Sequence, residues 1–341
     1  MGSVKDLNII KPAQKTIPGK GRFIFSDRYS VFDWGEMPDL IPNKGKALCI
    51  ITSYFFEMLE KEGINTHYRG VIQNNEVKQL SELTKPVAKM EVDLVRVLKP
   101  QFKENHYDYS IYKKRPVNCL IPLEVIYRNT LPEHSSFRRR EQNGEINIED
   151  YGLSKLPPAR EFLENPIYDV STKLESTDRY ISWEEAKKIA GLDKNLYQEI
   201  IKILETVNSL ITREVSKTGL KNLDGKIEVA LNENRELMVV DAIGTPDECR
   251  FKLKNFSISK ETIRKYYRGS KWYKELSQAK KENGPKWKDS VGFAPHPLPK
   301  NLLTMISEMY MACTNEITGN EWFKNIRSLA KLKEEMSEQF S

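Results

Sequence analysis

Apolar residues along the first 130 positions predict strands on either side of one long helix. Short apolar stretches between residues 4 and 33, separated by Pro12, Pro18 and Gly19, predict strands joined by turns. A helix is predicted between Asn43 and Gly63, because apolar residues recur there at helical spacing, at Leu48, Ile51, Tyr54, Phe55, Met58 and Leu59. Residues 87–98 and 119–128 again predict strands, whereas the polar, tyrosine-rich residues 99–115 predict a seam or loop.

The second half of the chain predicts further helices. Ser182 and Glu185 form a capping box for a helix up to Ala190, and a longer helix begins at Asp193 and ends before Gly219. Late helices are predicted at residues 302–318 and 322–337. Because strands and helices cluster instead of alternating regularly along the chain, the pattern indicates an α+β fold.

A hairpin with charged residues on one face is the most informative local pattern. Strands at residues 226–231 and 237–240 flank a predicted four-residue turn at residues 232–235. This register places Lys226 opposite Asp241 and puts Glu228 diagonal to Asp241 on the same face. A lysine beside two carboxylates suits a phosphate with bound magnesium. The alternative is a solvated strand face with cross-strand ion pairs. The spacing alone favours this alternative over a phosphate site.

Composition narrows the class of protein. The chain has 341 residues, of which 39% are hydrophobic and 30% charged, so a globular protein of one to three domains is expected. No apolar run is long enough to span a membrane, and residues 1–6 show no basic-then-apolar pattern, so a secretory route is not expected. The cysteines lack the spacing of a disulfide framework or a zinc site, so a reducing cytoplasm is expected; they are Cys49, Cys119, Cys249 and Cys313.

The basic charge of the chain is local. The net charge is +6, yet residues 252–289 alone hold twelve Lys or Arg against four Asp or Glu. Aromatic residues interleave with these charges, as in a platform for single-stranded nucleic acid. The alternative is an amphipathic helix over residues 260–281 that packs its aromatic side chains inward, and a basic helix without a recognised motif favours this alternative.

Several segments carry charge or proline through otherwise apolar stretches, and they occur in a characteristic order. They are residues 26–33 (SDRYSVFD), 41–46 (IPNKGK), 121–129 (IPLEVIYRN), 171–175 (STKLE), 224–230 (DGKIEVA), 240–250 (VDAIGTPDECR) and 297–299 (PLP). In these segments and their order the chain resembles the SAICAR synthetase family, and the resemblance runs from Gly2 to about Gly319.

The resemblance implies both a fold and a reaction. It implies an antiparallel-sheet domain at residues 1–98, a mixed α+β domain at 99–250 that completes an ATP cleft, and a helical segment at 251–341. The implied enzyme is an ATP-dependent ligase that joins the carboxylate of carboxyaminoimidazole ribotide to L-aspartate in purine biosynthesis. The implied cofactors are ATP and Mg²⁺, and the partners are small-molecule substrates. A membrane is not expected as a partner, nor is a nucleic acid, while a homo-oligomer is left open.

The resemblance also implies roles for individual residues. The catalytic set is Lys226, Glu228, Asp241 and Lys173. ATP is expected to bind Lys5, Lys226, Glu228 and Asp224, with magnesium on Glu228 and Asp241. The substrate-binding set is Arg128, Ser135, Ser136, Arg250, Asp247, Ser30, Asp33 and Asp178. Of these, Arg128, Arg250 and one of the two serines should hold the ribotide phosphate, because guanidinium groups suit phosphate oxygens.

Departures from the family pattern motivate two alternatives. Ser3 stands where the family has a phosphate-binding lysine, and residues 130–136 replace a shorter loop that ends in Gly-Ser. Val229-Ala230 replaces Phe-Gly, and Ala242 replaces Glu. One alternative is therefore a related ligase that acts on a different carboxylate and amine. The other is a non-catalytic nucleotide- or RNA-binding relative. A site that had lost its chemistry would, however, be expected to lack at least one of the charged residues that the resemblance implies.

Overall fold

The computed structural model describes residues 4–133, 135–159, 161–282 and 284–339, and its fold is α+β as predicted. Its strands are β1 (Lys5–Lys11), β2 (Gly19–Phe25), β3 (Tyr68–Gln73), β4 (Glu76–Lys78), β5 (Lys89–Leu94), β6 (Gln101–Lys103), β7 (His106–Asp108), β8 (Cys119–Thr130), β9 (Phe162–Thr172), β10 (Tyr180–Ile181), β11 (Leu220–Leu231), β12 (Leu237–Val240), β13 (Cys249–Leu253) and β14 (Phe256–Ile258). Its helices are α1 (Lys44–Lys61), α2 (Ser110–Lys113), α3 (Ser136–Gln142), α4 (Trp183–Ala190), α5 (Lys194–Ser216), α6 (Glu261–Arg268), α7 (Lys271–Glu282), α8 (Lys300–Thr318) and α9 (Leu329–Gln339).

Two antiparallel sheets organise the molecule. The first has five strands in the order β1-β2-β5-β3-β4. The second has seven strands, in the order β10-β9-β8-β11-β13-β14, and β12 pairs with the far half of β11. Because β11 has twelve residues, it can pair with β8 along one edge and with both β12 and β13 along the other.

Backbone hydrogen bonds join the two sheets. The Val239 amide donates to the Asn65 carbonyl oxygen at 2.9 Å, and the His67 amide donates to the Val239 carbonyl oxygen at 3.1 Å. The Leu120 amide donates to the Arg96 carbonyl oxygen at 2.9 Å. These bonds hold the five-stranded sheet beside the start of β8 and the end of β12, so residues from both sheets can meet at the junction.

Helices cover the apolar faces of the sheets. Helix α5 packs on β8 and β11, and α1 lies between the five-stranded sheet and α8. Asp193 caps α5 by accepting a hydrogen bond from the Leu196 amide at 3.0 Å, and Gly219 follows the helix with a φ of +77°, as predicted for these two residues. Ser182 caps α4 through the Glu185 amide at 3.1 Å, which confirms the predicted start of that helix.

Three predicted segments differ from the structure. Residues 99–115 form the β6–β7 hairpin and the short helix α2 instead of a loop. The basic segment forms two helices instead of one, because the Ser270 hydroxyl accepts a hydrogen bond from the Tyr273 amide at 3.1 Å and starts a new helix. The last helix begins at Leu329 instead of Trp322, since the Asn315 side chain engages both backbone groups of Phe323 and holds that segment out of a helix.

The aromatic residues of the basic segment pack inward, as the amphipathic interpretation predicted. Tyr267 and Trp272 are fully buried, and the Tyr267 hydroxyl lies 3.1 Å from the Tyr29 hydroxyl. Stacking platforms for nucleic acid need exposed rings, so this packing does not favour such a platform. Within the part of the chain that the structure describes, no helix is both long and apolar enough to cross a membrane.

Candidate active site

One face of β8 and β11 is charged, while the other is apolar and buried. Alternation along a strand puts Glu124 and Arg128 of β8 on the same face as Asp224, Lys226 and Glu228 of β11. Val125, Tyr127, Ile227 and Val229 point the other way, into the core beneath α5. The strand register sets Asp224 opposite Arg128 and Glu228 opposite Glu124, so the charged side chains form rows across the sheet.

Lysines offset the repulsion between two facing glutamates. Like charges directly opposite each other destabilise a sheet. Lys173, which follows β9, places its Nζ 2.8 Å from Oε1 of both Glu124 and Glu228. The Lys226 Nζ is also 2.8 Å from Glu124 Oε1 and is 3.5 Å from Glu248 Oε2. The sequence prediction gave Glu124 no role, although a charge inside the apolar run of residues 121–129 was the signal for it.

Lys5 and Asp241 join this cluster from the junction of the two sheets. The Lys5 Nζ lies 2.7 Å from Asp241 Oδ1 and 5.1 Å from the centre of the Phe23 ring. Asp241 follows β12 directly and has a φ of +72°, in the left-handed region. Lys5, Lys173, Lys226, Glu124, Glu228 and Asp241 are called the charge cluster below.

The predicted hairpin register is wrong by one residue. Leu231 pairs with Leu237, and Glu228 pairs with Val240, so the turn has five residues (232–236) and Lys226 does not face Asp241. The Asn232 side chain accepts hydrogen bonds from the Asn234 and Glu236 amides at 2.9 and 2.8 Å, which stabilises the longer turn. A slip of one residue would turn Asp241 to the opposite face of a regular strand. The left-handed backbone of Asp241 ends the strand, and its carboxylate still reaches the charge cluster.

The pKa values of Glu228 and Asp241 are shifted in opposite directions. Burial and the nearby Asp241 carboxylate raise the pKa of Glu228 to about 7, against the opposing effect of Lys173. Burial also opposes ionisation of Asp241, but Lys5, Lys173 and Lys226 lower the pKa of this carboxyl to about 2. Two interacting carboxylates of this kind favour the approach of further positive charge.

The donor set fits magnesium that is shared with a bound phosphate. Glu228 and Asp241 supply the hard oxygen atoms that Mg²⁺ prefers, and this ion commonly takes one or two carboxylates together with substrate phosphates and water. Among the described residues, no group of three or more histidine, cysteine or acidic side chains is arranged to hold a metal by itself. With two carboxylates available, the charge cluster fits a metal that completes its coordination with phosphate and water.

Asp178 lies at the rim of the charge cluster. Asp178 is exposed, yet desolvation by the surrounding protein and the Glu124 carboxylate raise its pKa to about 6, although Lys173 and Lys226 act in the opposite direction. Asp33 contributes a smaller increase, which places it within electrostatic reach of Asp178. Asp33 is otherwise exposed and forms an ion pair with Lys280 at 2.7 Å. Ser30, on the same loop, is partly exposed.

A cleft of about 170 Å³ extends from the charge cluster toward β13 and α6. The Arg250 Nη1 donates to Asp224 Oδ2 at 2.6 Å in its wall, and Lys260 and Arg264 also line it. A larger cleft of about 730 Å³ shares Arg250 and Arg264 with the first. Ser135 lies in that second wall, where its hydroxyl caps α3 by accepting a hydrogen bond from the Arg138 amide at 3.3 Å.

Two charged residues of the predicted substrate set have buried side chains that form ion pairs within the protein. The Arg128 side chain is 3% exposed; its Nε and Nη2 donate to Asp169 Oδ2 at 3.1 and 2.9 Å, and Nη2 also donates to the Ser136 hydroxyl at 3.0 Å. Arg140 donates to the same Asp169 oxygen. Sequence reasoning missed Asp169 and Arg140, which no predicted motif contains.

Asp247 is the second residue of the predicted substrate set with a buried, paired charge. Its buried carboxylate lies 2.8 Å from Lys44 Nζ and 3.2 Å from Lys260 Nζ, and it accepts a hydrogen bond from the Tyr310 hydroxyl at 2.6 Å. Burial opposes its ionisation, but the two lysines hold the pKa of this carboxyl far below its ordinary value. Ser3, the departure at the family's lysine position, lies outside the described residues.

Partly buried lysines among carboxylates, at the junction of two antiparallel sheets, suit an α+β enzyme that handles phosphorylated substrates. The sequence model of the SAICAR synthetase family matches residues 11–279. A putative phosphoribosylaminoimidazole-succinocarboxamide synthase of Archaeoglobus fulgidus is 52% identical over 339 residues, which cover 99% of this chain and 98% of the relative. The chain therefore belongs to the SAICAR synthetase family, whose members catalyse the ATP-dependent ligation of carboxyaminoimidazole ribotide with aspartate in purine biosynthesis.

Solved structures share the fold. The SAICAR synthase of Saccharomyces cerevisiae complexed with SAICAR aligns with a TM-score of 0.63 at 21% identity, covering 94% of each chain. A SAICAR synthetase in complex with ADP aligns with a TM-score of 0.56 at 22% identity, covering 87% of this chain and 99% of that one. At these identities the comparison establishes the common α+β architecture, as the sequence resemblance predicted.

Proposed function

We propose that this chain is an ADP-forming ligase that joins the carboxylate of carboxyaminoimidazole ribotide to the amine of L-aspartate through an acyl phosphate. The charge cluster is the observation that carries this proposal, because it gathers three lysines and three carboxylates where the two sheets meet. We further propose a cytoplasmic location, since the four cysteines are free and buried, which suits a reducing compartment.

ATP is proposed to bind along β11 and β12. Lys5 and Lys226 would contact its phosphates, and Asp224 lies one row further along β11. Glu228 and Asp241 would hold Mg²⁺, which neutralises phosphate charge when it is bound. An apolar cluster continues the same face beyond Glu228 and would suit the adenine ring; it consists of Leu120, Ala230, Met238 and Val240, with the partly exposed Val95 and Leu174 beside it.

The ribotide is proposed to occupy the two clefts that share Arg250 and Arg264. Arg250 is one-third exposed and lines both clefts, together with Arg264, so either guanidinium can meet a phosphate dianion. The internal bonds of Arg128 would hold Ser136 and the start of α3 in place, and a direct contact between Arg128 and the phosphate stays a prediction. The carboxylate of the ribotide would then lie toward Lys226 and Lys173.

The reaction requires positive charge and alignment more than a side-chain nucleophile. A carboxylate oxygen of the ribotide attacks the γ-phosphorus of ATP, ADP leaves, and the aspartate amine then displaces phosphate from the acyl carbon. Lys173 and Lys226 lie where they can stabilise negative charge that develops during these steps. Asp178 and Asp33 would receive the ammonium group of L-aspartate, the only cationic group among the three reactants, and Asp178 would accept its proton.

Omission of single substrates tests this proposal. ADP release is measured with ATP, Mg²⁺, the ribotide and L-aspartate, and then with each component left out. The proposal predicts ADP and succinocarboxamide ribotide in equal amounts only when all are present. Faster turnover with another carboxylate or another amine would support the related-ligase alternative. Nucleotide binding without any turnover would support the non-catalytic relative.

A further inference from the structure

The loop between β2 and α1 contains two consecutive residues in an unfavourable backbone conformation. Phe32 has a φ of +56° and Asp33 a φ of +58°, and neither is glycine. A bulky residue in the left-handed region is strained and persists only where surrounding contacts hold it. Strained residues of this kind are concentrated at ligand-binding and catalytic sites. The contacts of Phe32 and Asp33 therefore show which part of the protein keeps the turn in this conformation.

The basic segment supplies those contacts. The Phe32 ring lies 4.5 Å from the Tyr273 ring and 6.2 Å from the Trp272 ring, both on α7. Trp34 lies 5.5 Å from Trp272. The Asp33 carboxylate accepts a hydrogen bond from the Lys280 Nζ at 2.7 Å. Helix α7 therefore contacts three successive residues of the turn.

Lys280 is itself held in place. Its Nζ lies 4.7 Å from the centre of the Trp287 ring, and the Trp287 ring lies 6.1 Å from Trp34. A cation over an aromatic ring restricts the ammonium group and favours one direction for its remaining hydrogen bonds. The aromatic side chains of the basic segment and Lys280 therefore hold the turn in place through contacts with Phe32, Asp33 and Trp34.

The turn and α7 together form part of the wall of the larger cleft. Phe32 and Tyr273 both line that cleft, and Arg250 is also part of its lining. Asp33, next to Phe32, is also close enough to Asp178 to influence its ionisation. The basic segment therefore holds an acidic side chain next to a residue that lines the larger cleft.

We propose that Lys280 is a positioning residue, which acts by holding Asp33 where the ammonium group of L-aspartate enters the site. This inference rests on the proposed function and extends it, because it assigns to α7 a role in the recognition of one particular substrate. Asp33 is a substrate contact in this arrangement, and Lys280 acts only through it.

A double-mutant cycle on Lys280 and Asp33 tests the inference. Lys280→Ala should raise the KM for L-aspartate about two- to fivefold, the range for a largely exposed ion pair, and leave the KM for ATP unchanged. Lys280→Arg should restore the wild-type value. In an Asp33→Asn background, Lys280→Ala should have no further effect. The exposed Lys281 on the same helix provides the matched control, and Lys281→Ala should behave as wild type.

Three results would overturn the inference: an unchanged KM for L-aspartate in Lys280→Ala, an equal rise in the KM for ATP, or an equal effect of Lys280→Ala in the Asp33→Asn background. The same cycle is measured by calorimetry as L-aspartate affinity, so it does not require turnover by the Asp33 variants. If wild-type protein fails to turn over the three reactants, the proposed function fails. If wild type turns over but the cycle is additive, only the role of Lys280 fails.

Discussion

Replacing Glu228 with glutamine should stabilise the ligand-free protein and abolish its magnesium-dependent activity. Glutamine has the shape of the protonated glutamate but cannot ionise. Burial and Asp241 raise the pKa of Glu228 from 4.5 to about 7 in the folded protein. Because a raised folded-state pKa favours the protonated form, the wild type loses stability as the pH rises from 4.5 to 7, and the loss is complete above pH 7. The difference amounts to about 3 kcal/mol at pH 8.

Urea unfolding of wild type and Glu228→Gln at pH 5 and pH 8 measures this effect. The two proteins should differ little at pH 5, whereas the variant should be more stable by up to about 3 kcal/mol at pH 8. Glu199 is exposed on α5, so Glu199→Gln serves as a control and should show no such pH dependence. If Glu228→Gln is less stable than wild type at pH 8, the ion pair with Lys173 outweighs the repulsion from Asp241, and the reasoning is refuted.

Three further substitutions test other parts of the site. Arg250→Ala should weaken ribotide binding by about 1.5–3 kcal/mol and leave ATP affinity intact by calorimetry, and a larger loss for ATP would contradict its assignment. Asp169→Asn should lower the free energy of unfolding by about 3–5 kcal/mol, because Arg128 and Arg140 would stay buried without their carboxylate. A variant as stable as wild type would show that the ion pairs of Asp169 do not stabilise the fold. In wild type, the rate at low L-aspartate concentration should fall as the pH drops through about 6, where Asp178 becomes protonated. Asp178→Asn should remove that inflection, and an unchanged profile would exclude Asp178 as its source.

The charged residues of the site were easier to predict from the sequence than the residues that contact them in the fold. The charged face of the predicted hairpin gave Lys226, Glu228 and Asp241, and the family resemblance added Lys5 and Lys173. The structure brings all five together. Glu124 occurs in a quoted segment, but its bridging position depends on the alignment of β8 with β11, which lie about a hundred residues apart in the sequence.

Local backbone geometry explains the errors of prediction. A turn of four or five residues fits the same sequence, and the hydrogen bonds of the Asn232 side chain select five. With five turn residues, a regular strand would point Asp241 away from Glu228. The positive φ of Asp241 turns its side chain back toward the charge cluster. Arg128 illustrates a different limit, because its partner Asp169 lies on another strand and shares no motif with it. Long-range ion pairs of this kind leave no periodic signal in a single sequence.

Transfer of oxygen-18 from the ribotide carboxylate to phosphate tests the central claim most directly. The account predicts one labelled oxygen in each phosphate released, because the carboxylate oxygen that attacks ATP leaves with the phosphate when the amine attacks the acyl carbon. This measurement uses wild-type protein with ATP, Mg²⁺ and L-aspartate, and mass spectrometry of the phosphate. Release of unlabelled phosphate alongside the amide product would contradict an acyl phosphate and, with it, the proposed function of the charge cluster.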